Sequence, residues 1–444
     1  MLAARRLPPS TGYHFSVTRS LYAVLLGTFT LRFSTGLTGG LLIFYLRDLH
    51  VDEITLASLT ATFFAAELIL STPFGLISDR WGHHRIMQLG PIFGAVAVIL
   101  TWATRDLVVI GGTRWLEGAA TAASVPSILG FIAMATARDE LLRGRMSARF
   151  EGATLAGLGV GIVAAGLLYD GIPGVVPGLG RTAFLLNAVI YGVSFCIYRF
   201  GVAEPAADRE ARSGPHYGWR RYVRLLTSTH VWLLAPTWIA INAALGLWTS
   251  QSIFQLIKQP AARFSDQLLM GGFVGAQIAL GLGVGLVVFF AGLAFWGDRF
   301  KRFRRTTIIL YGIVGGVVCI VAATLINHSA GQPDWLRLIY GAAITGGLFV
   351  LAGATPAALG LLADVSESYP ADRGAIMGLY SVFLALGQIA GSFLGGESGR
   401  RYGIDGILLS TVGLLLIALV PLARLRAVEH HVGTAAPETE AGLT

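Results

Sequence analysis

Charge is scarce in this chain. Only 13% of its 444 residues are charged, against roughly 25% in a soluble globular protein, while 54% are apolar and 57 are glycine. With a mean hydropathy of +0.66, that balance excludes a disordered chain and fits a water-soluble domain poorly. Cysteine is nearly missing. Cys196 and Cys319 are the only two, and each lies inside an apolar run, which argues against a disulfide framework or a thiolate metal centre. Lysine is as rare: Lys258 and Lys301 are the only two among 33 basic residues. No paired-histidine metal motif, nucleophile elbow or membrane-protease constellation occurs, and the glycine-rich stretch 271–285 has no G-x-x-x-x-G-K-[ST] pattern. The reading is therefore of a protein that is not an enzyme and needs no cofactor, metal or bound ATP. The start, MLAARRLPPSTGYHFSVTRS, is basic but precedes a run too long for a signal-peptide core, so no cleaved leader is expected.

What is abundant is long apolar sequence. A bilayer-spanning helix needs ~20 apolar residues. Twelve runs of that kind cover about 20–46, 54–78, 86–104, 107–136, 150–169, 181–202, 229–257, 268–297, 305–327, 335–364, 371–396 and 403–427. The net charge of +8 is concentrated in alternate loops. Twenty-three Lys and Arg lie on the side of the N-terminus and eight on the other, which places both termini in the cytoplasm. Loops of this kind face anionic lipid rather than nucleic acid. The expected organisation is a cytoplasmic tail (1–19), a six-helix bundle (20–202), a cytoplasmic linker (203–228), a second six-helix bundle (229–427) and a cytoplasmic tail (428–444). Within the linker, residues 217–226 read equally well as a surface amphipathic helix or as a solvated connection.

The two halves look duplicated. GLISDRWGHHR follows run two and LAFWGDRFKRFRR follows run eight, with Asp298-Arg299 placed 219 residues after Asp79-Arg80. Arg143-Gly144 after run four is matched by Arg373-Gly374, 230 residues later. Recurrence at nearly one offset implies pseudo-symmetric halves with a site near the bilayer midplane.

With these motifs on view, the chain resembles the major facilitator superfamily of secondary transporters over nearly its whole length. Gly75-x-x-x-Asp79-Arg80-x-Gly82 matches that family's loop 2–3 signature, with His83 and His84 where the family usually has Arg or Lys, and Arg85 keeping one charge. Arg114-Trp115-Leu116-Glu117-Gly118 is similar to its Arg-x-x-Gln-Gly motif, with Glu for Gln, and the stretch Arg373 to Tyr380 is familial too. Run five, AGLGVGIVAAG, has the glycines of the drug-antiporter motif but lacks its proline. The resemblance implies an all-α integral membrane fold of 12 transmembrane helices in two pseudo-symmetric six-helix bundles. It also implies that Gly75, Asp79, Arg80, Gly82 and Arg85 form a cytoplasmic gate, with Asp298, Arg299, Asp364 and Arg373 as its counterpart.

Four ionisable residues sit deep in runs: Arg32, Glu67, Arg114 and Glu117. A charge at the bilayer centre costs ~2.5–3.5 kcal/mol on insertion scales, so each needs a partner. At ~1.5 Å rise per residue, Arg32 lies roughly 16 Å from the inner face and Glu67 ~15 Å, so the two share a depth. Arg114 and Glu117 lie one turn apart on one face, about 10–15 Å from the outer surface. One reading makes Glu67 or Glu117 a proton carrier whose affinity depends on whether it faces its arginine. The other makes these fixed ion pairs that lock packing. In run seven, Trp238, Asn242, Trp248, Gln251 and Gln255 form a polar and aromatic face beside Phe254. That face is either a cavity wall, joined by Tyr380, or an interfacial belt.

The expected function is alternating-access transport of a small, lipophilic or drug-like molecule, proton-coupled and directed outward, by a multi-pass monomer in the cell inner membrane. Its partners are then the substrate, protons and membrane lipids, and not nucleic acid. Uptake of a small metabolite, lipid translocation, or a non-transporting receptor or assembly role are the alternatives.

Overall fold

The structure is a computed structural model that describes residues 11–136, 140–203, 229–259, 261–297, 299, 302–358 and 373–432. Twelve long helices are among the described residues. They are α1 (Thr11–Asp48), α2 (Glu53–Trp81), α4 (Leu89–Ala103), α5 (Leu107–Ala135), α6 (Glu140–Asp170), α7 (Ala183–Gly201), α8 (Thr229–Ile257), α9 (Gly275–Gly297), α10 (Arg305–Asn327), α11 (Asp334–Leu351), α12 (Arg373–Tyr402) and α13 (Ile404–Val432). The short α3 (His83–Ile86) follows α2. Ten of the long helices are apolar enough over 18 residues to cross a membrane. The other two, α8 and α12, are the ones that carry Asn242, Gln251 and Gln255, and Gln388, Glu397, Arg400 and Arg401. A departure from an all-helical reading is the two-residue hairpin of β1 (Gly171–Ile172) and β2 (Val176–Pro177), made possible by Gly171 and Gly174 at φ 76° and 74°.

Two compact units make up the chain. The first holds residues 1–51, 59–216 and 273–283, and the second holds 52–58, 217–272 and 284–444. In the first, α1 packs along α6, α4 along α5, and α7 against both α1 and α4. In the second, α8 packs along α12, α10 along α11, and α13 against both α8 and α10. Counting the long helices of each half one to six, the same pairs (one with five, three with four, six with one and three) recur. That is the structural form of the duplication seen in the motifs.

Glycine explains how these pairs approach so closely. A Cβ at Gly157 or Gly161 on α6 would collide with the α1 backbone at Phe29 and Phe33. Gly157 and Gly161 of run five therefore serve the α1–α6 crossing, where small residues let backbones touch, while Gly166 meets Gly275 of α9. Gly387 and Gly391 do the same on α12, against Ile239 and Ala243 of α8.

Several polar side chains inside these helices find partners on the helices themselves, as a medium without water favours. Thr28 and Thr38 donate to the carbonyls four residues back. Asn187 on α7 donates to Ser34 O at 3.0 Å and Thr38 Oγ1 at 2.7 Å, and Thr101 meets Thr113 at 2.8 Å. Outward-facing positions such as Val287, Leu338 and Leu409 are exposed and apolar, as lipid contact demands.

Candidate functional site

The first unit holds the deep charges. Arg114 and Glu117, one turn apart on α5, form an ion pair whose members are only 7% and 2% exposed. Gly118, next in sequence, leaves room for the α2 backbone at Phe63, whose ring lies 4.8 Å from the Arg114 guanidinium carbon. The fully buried Tyr191 of α7 stands within electrostatic reach of both charges. Arg114 Nε and Glu117 Oε1 are buried with no hydrogen-bond partner. The pair is neutral as a unit, but one polar atom of each partner is left without a hydrogen bond.

Arg32 and Glu67 do not form such a contact. Both are half-buried and no ion pair between them is found, although the Arg32 charge reaches Glu67. A second carboxylate that sequence reasoning passed over, Glu151 on α6, stands in the same relation to Arg32. Its position at the edge of run five reads as a loop boundary, whereas α6 begins at Glu140 and carries Glu151 well inside the helix.

At the end of α2, the loop signature takes a specific shape. Gly82 has φ 97°, a conformation that favours glycine, and its carbonyl accepts from Arg85 N at 3.1 Å to start α3. Asp79 pairs with His83, whose Nε2 lies 3.3 Å from its carboxylate. The imidazole is buried against Gly130 of α5, where a Cβ would overlap it. Arg80 and Arg85 are exposed. Gly75 has only Pro126 near, at 3.9 Å, so it is not a tight crossing point. Arg299 folds back onto its own helix, donating to Phe295 O at 2.9 Å with its guanidinium over the Phe295 ring. Asp298 and Asp364 lie outside the described residues. Arg373 and Tyr380 fall on α12, in its described backbone.

The polar face of α8 is engaged within the second unit. Asn242 donates to Trp238 O at 2.9 Å, and Trp238 packs on the clusters around Ile309 and Phe383. Trp248 Nε1 donates to Thr411 of α13 at 2.8 Å. Gln251 and Gln255 are fully buried and donate to Glu53 O (3.0 Å) and Glu53 Oε1 (3.3 Å). Lys258 Nζ completes the grip on the Glu53 carboxylate at 2.5 Å. Trp248, Gln251 and Gln255 are thus engaged in helix contacts, while Gln251 Oε1 and Gln255 Oε1 are buried without a hydrogen-bond partner.

Two further charged nodes went unread in the sequence. Asp170, ending α6, accepts two hydrogen bonds from Arg47 (3.1 and 2.9 Å) and one from Gly275 N, the first residue of α9 (2.9 Å), all inside the first unit. Glu397 is held below the usual carboxylate range by hydrogen bonds from Arg400 and Arg401. Asp52 is likewise held low by Thr55, whose N–H donates to it at 2.9 Å, and so caps α2. Among the described residues, no group of three or more His, Cys, Asp or Glu side chains is placed to hold a metal ion. What the geometry offers in the first unit is one buried carboxylate–arginine pair, Glu117 with Arg114, and two half-buried carboxylates, Glu67 and Glu151, on neighbouring helices.

The family model described as Major Facilitator Superfamily matches residues 24–332 and 272–443. The chain is 21% identical over 425 residues to the quinolone resistance protein NorA of Staphylococcus aureus (strain MRSA252), covering 92% of this chain and 98% of that protein. It is 24% identical over 362 residues to multidrug resistance protein 1 of Bacillus subtilis (strain 168), covering 79% and 82%. Its fold is similar to the crystal structure of the nucleoside transporter NupG, with a TM-score of 0.68 at 11% identity, covering 92% of this chain and 98% of that one. The chain belongs to the major facilitator superfamily and is a multi-pass membrane transporter.

Proposed function

We propose that the protein exports a small lipophilic or drug-like molecule across the cell inner membrane, with both termini cytoplasmic, and that inward proton movement drives it. The observation that carries this reading is the buried Arg114–Glu117 pair on α5. Glu117 keeps one carboxylate oxygen without a hydrogen-bond partner, although a desolvated carboxylate normally recruits several. Such a group can exchange a proton when its surroundings change, and Arg114 supplies the compensating charge when the proton leaves. Glu67, set in reach of Arg32 without direct contact, is the second carboxylate of this kind. Asp79, Arg80, Gly82 and Arg85, together with Asp298, Arg299, Asp364 and Arg373, act as the cytoplasmic gate in this scheme. His83 is the residue that meets Asp79. The relatives named for quinolone and multidrug resistance support outward transport of drug-like cargo.

The test is gradient-driven transport by the purified protein in liposomes. A panel of a quinolone, ethidium and a neutral dye is offered with and without a pH gradient. Wild type accumulates at least one of them only with the gradient, and Glu117→Gln loses that dependence while still folding. Accumulation in Glu117→Gln and Glu67→Gln that follows the gradient as in wild type would refute the assignment.

A further inference from the structure

The N-terminal ends of α1 and α6 present basic side chains at the surface of the first unit. Arg145 and Arg149 stand one turn apart on α6 and project from one face. Arg19 and Tyr22 are one turn apart on α1 in the same way. All four are exposed. Arg149 Nη1 donates to Tyr22 Oη at 3.3 Å, and the guanidinium carbon lies 5.9 Å from the centre of the Tyr22 ring. That contact sets the two helix ends level with each other. Arg19 and Arg145 then lie about 5–6 Å further toward the N-terminal ends of their helices. Among the described residues, none of these three arginines has a carboxylate in ion-pair contact. Glu151, two residues after Arg149, lies on a different face of α6.

Apolar surface begins directly beneath. Leu26, one turn after Tyr22, is more than half exposed. On α6, Val160 is exposed and lies three turns after Arg149, so it continues the Arg145–Arg149 stripe. That stripe is not the side of α6 that meets α1, which Gly157 and Gly161 mark. Exposed leucine and valine in a membrane-spanning helix are covered by lipid tails, which are as apolar as they are. The surface therefore asks for one occupant with an anionic head and an apolar tail. We infer that the N-terminal ends of α1 and α6 form a binding site for an anionic phospholipid. Its phosphate lies against Arg145 and Arg149, whose forked donors suit phosphate oxygens, and Arg19 adds a third positive charge. The Tyr22 hydroxyl accepts from Arg149 and so keeps its own hydrogen to donate to a phosphate oxygen. An acyl chain follows Leu26 and Val160. A zwitterionic lipid fits less well, because its cationic headgroup is brought up to three arginines. The inference is independent of the export and proton-coupling readings.

The experiment is native mass spectrometry of the purified full-length protein in detergent, titrated with phosphatidylglycerol or with phosphatidylcholine of the same chains. Wild type is compared with Arg145→Gln/Arg149→Gln. The control is Arg424→Gln/Arg426→Gln on α13, which removes the same charge from two exposed positions that do not share a face. Each protein is checked for folding by circular dichroism and gel filtration. Wild type binds one phosphatidylglycerol in preference to phosphatidylcholine. Arg145→Gln/Arg149→Gln weakens that binding roughly tenfold or more, because each basic residue near the membrane surface adds to the attraction for anionic lipid. The α13 control stays close to wild type. Glycerol phosphate, which has the headgroup chemistry but no chains, does not displace the lipid. Equal losses in the two double variants would show general surface charge instead of a site and overturn the inference. So would equal binding of the two lipids by wild type, unchanged binding in Arg145→Gln/Arg149→Gln, or full displacement by glycerol phosphate, which would make the ligand a free phosphate. Should Arg145→Gln/Arg149→Gln fail to fold, phosphatidylglycerol with a photoreactive acyl chain is used on wild type. Labelling of the α1 and α6 segments around Leu26 and Val160 is expected, and labelling confined to other helices overturns the inference.

Discussion

Removing one member of the Arg114–Glu117 pair should cost far more than removing both. Each side chain is more than nine-tenths buried, 9% and 2% exposed, so neither charge can recover water when the other is taken away. Breaking a buried pair from one side costs about 3–5 kcal/mol, because a buried charge is left without its counter-charge. Arg114→Leu and Glu117→Leu are each expected in that range. The double variant removes both charges and also the two orphaned polar atoms, Arg114 Nε and Glu117 Oε1, each of which costs about 1–3 kcal/mol to bury unsatisfied. It should therefore lie within about 1 kcal/mol of wild type, giving a coupling energy of roughly 5 kcal/mol or more. The assay is reversible unfolding in mixed micelles with increasing SDS, followed by circular dichroism, with gradient-driven transport measured beside it. The double variant should be folded and uncoupled. Singles costing under about 1 kcal/mol, or a double costing the sum of the singles, would show that the pair is not the desolvated unit described.

Three further outcomes follow from the same contacts. Gly161→Leu should prevent the α1–α6 crossing and abolish folded protein in gel filtration, whereas Gly112→Ala, with nothing within 4 Å of its Cβ, should behave as wild type. Lys258→Met removes the closest partner of the buried Glu53 carboxylate and should cost roughly 1.5 kcal/mol in the same SDS titration, the low end for a charge-assisted bond because Lys258 is partly exposed. Asp52→Ala should lose about 1 kcal/mol of cap stabilisation at α2. Because Thr55 holds the Asp52 carboxyl below its ordinary range, that contribution is complete above the unfolded-state value. It fades as pH falls through the lower folded value, so wild type and variant should converge in acid.

Much of the fold was legible because apolar run length and loop charge are one-dimensional properties. Each of the twelve runs coincides with a long helix, and the offset between Asp79-Arg80 and Asp298-Arg299 anticipates the repeated pairing of helices in the two units. The level of a residue along its own helix is legible in the same way, from rise per residue. Direction around the helix axis was not. It depends on which neighbour comes close, and that is decided by Gly157, Gly161 and Gly118, whose partners are distant in sequence. Hence Glu151 was passed over at the edge of run five, the grip of Gln251 and Gln255 on Glu53 was not foreseen in a face read as a cavity wall or an interfacial belt, and the contact of His83 with Asp79 went unread. The β1–β2 hairpin was missed because two paired residues leave no periodic signal.

The most direct measurement is of protons themselves. Liposomes carrying the purified protein, a pH gradient and a trapped pH dye are challenged with a quinolone, ethidium and a neutral dye in turn. The account predicts a proton leak in wild type triggered by the transported compound and missing in Glu117→Gln. Transport of that compound by wild type with no accompanying proton movement, or an undiminished leak in both Glu117→Gln and Glu67→Gln, would contradict it.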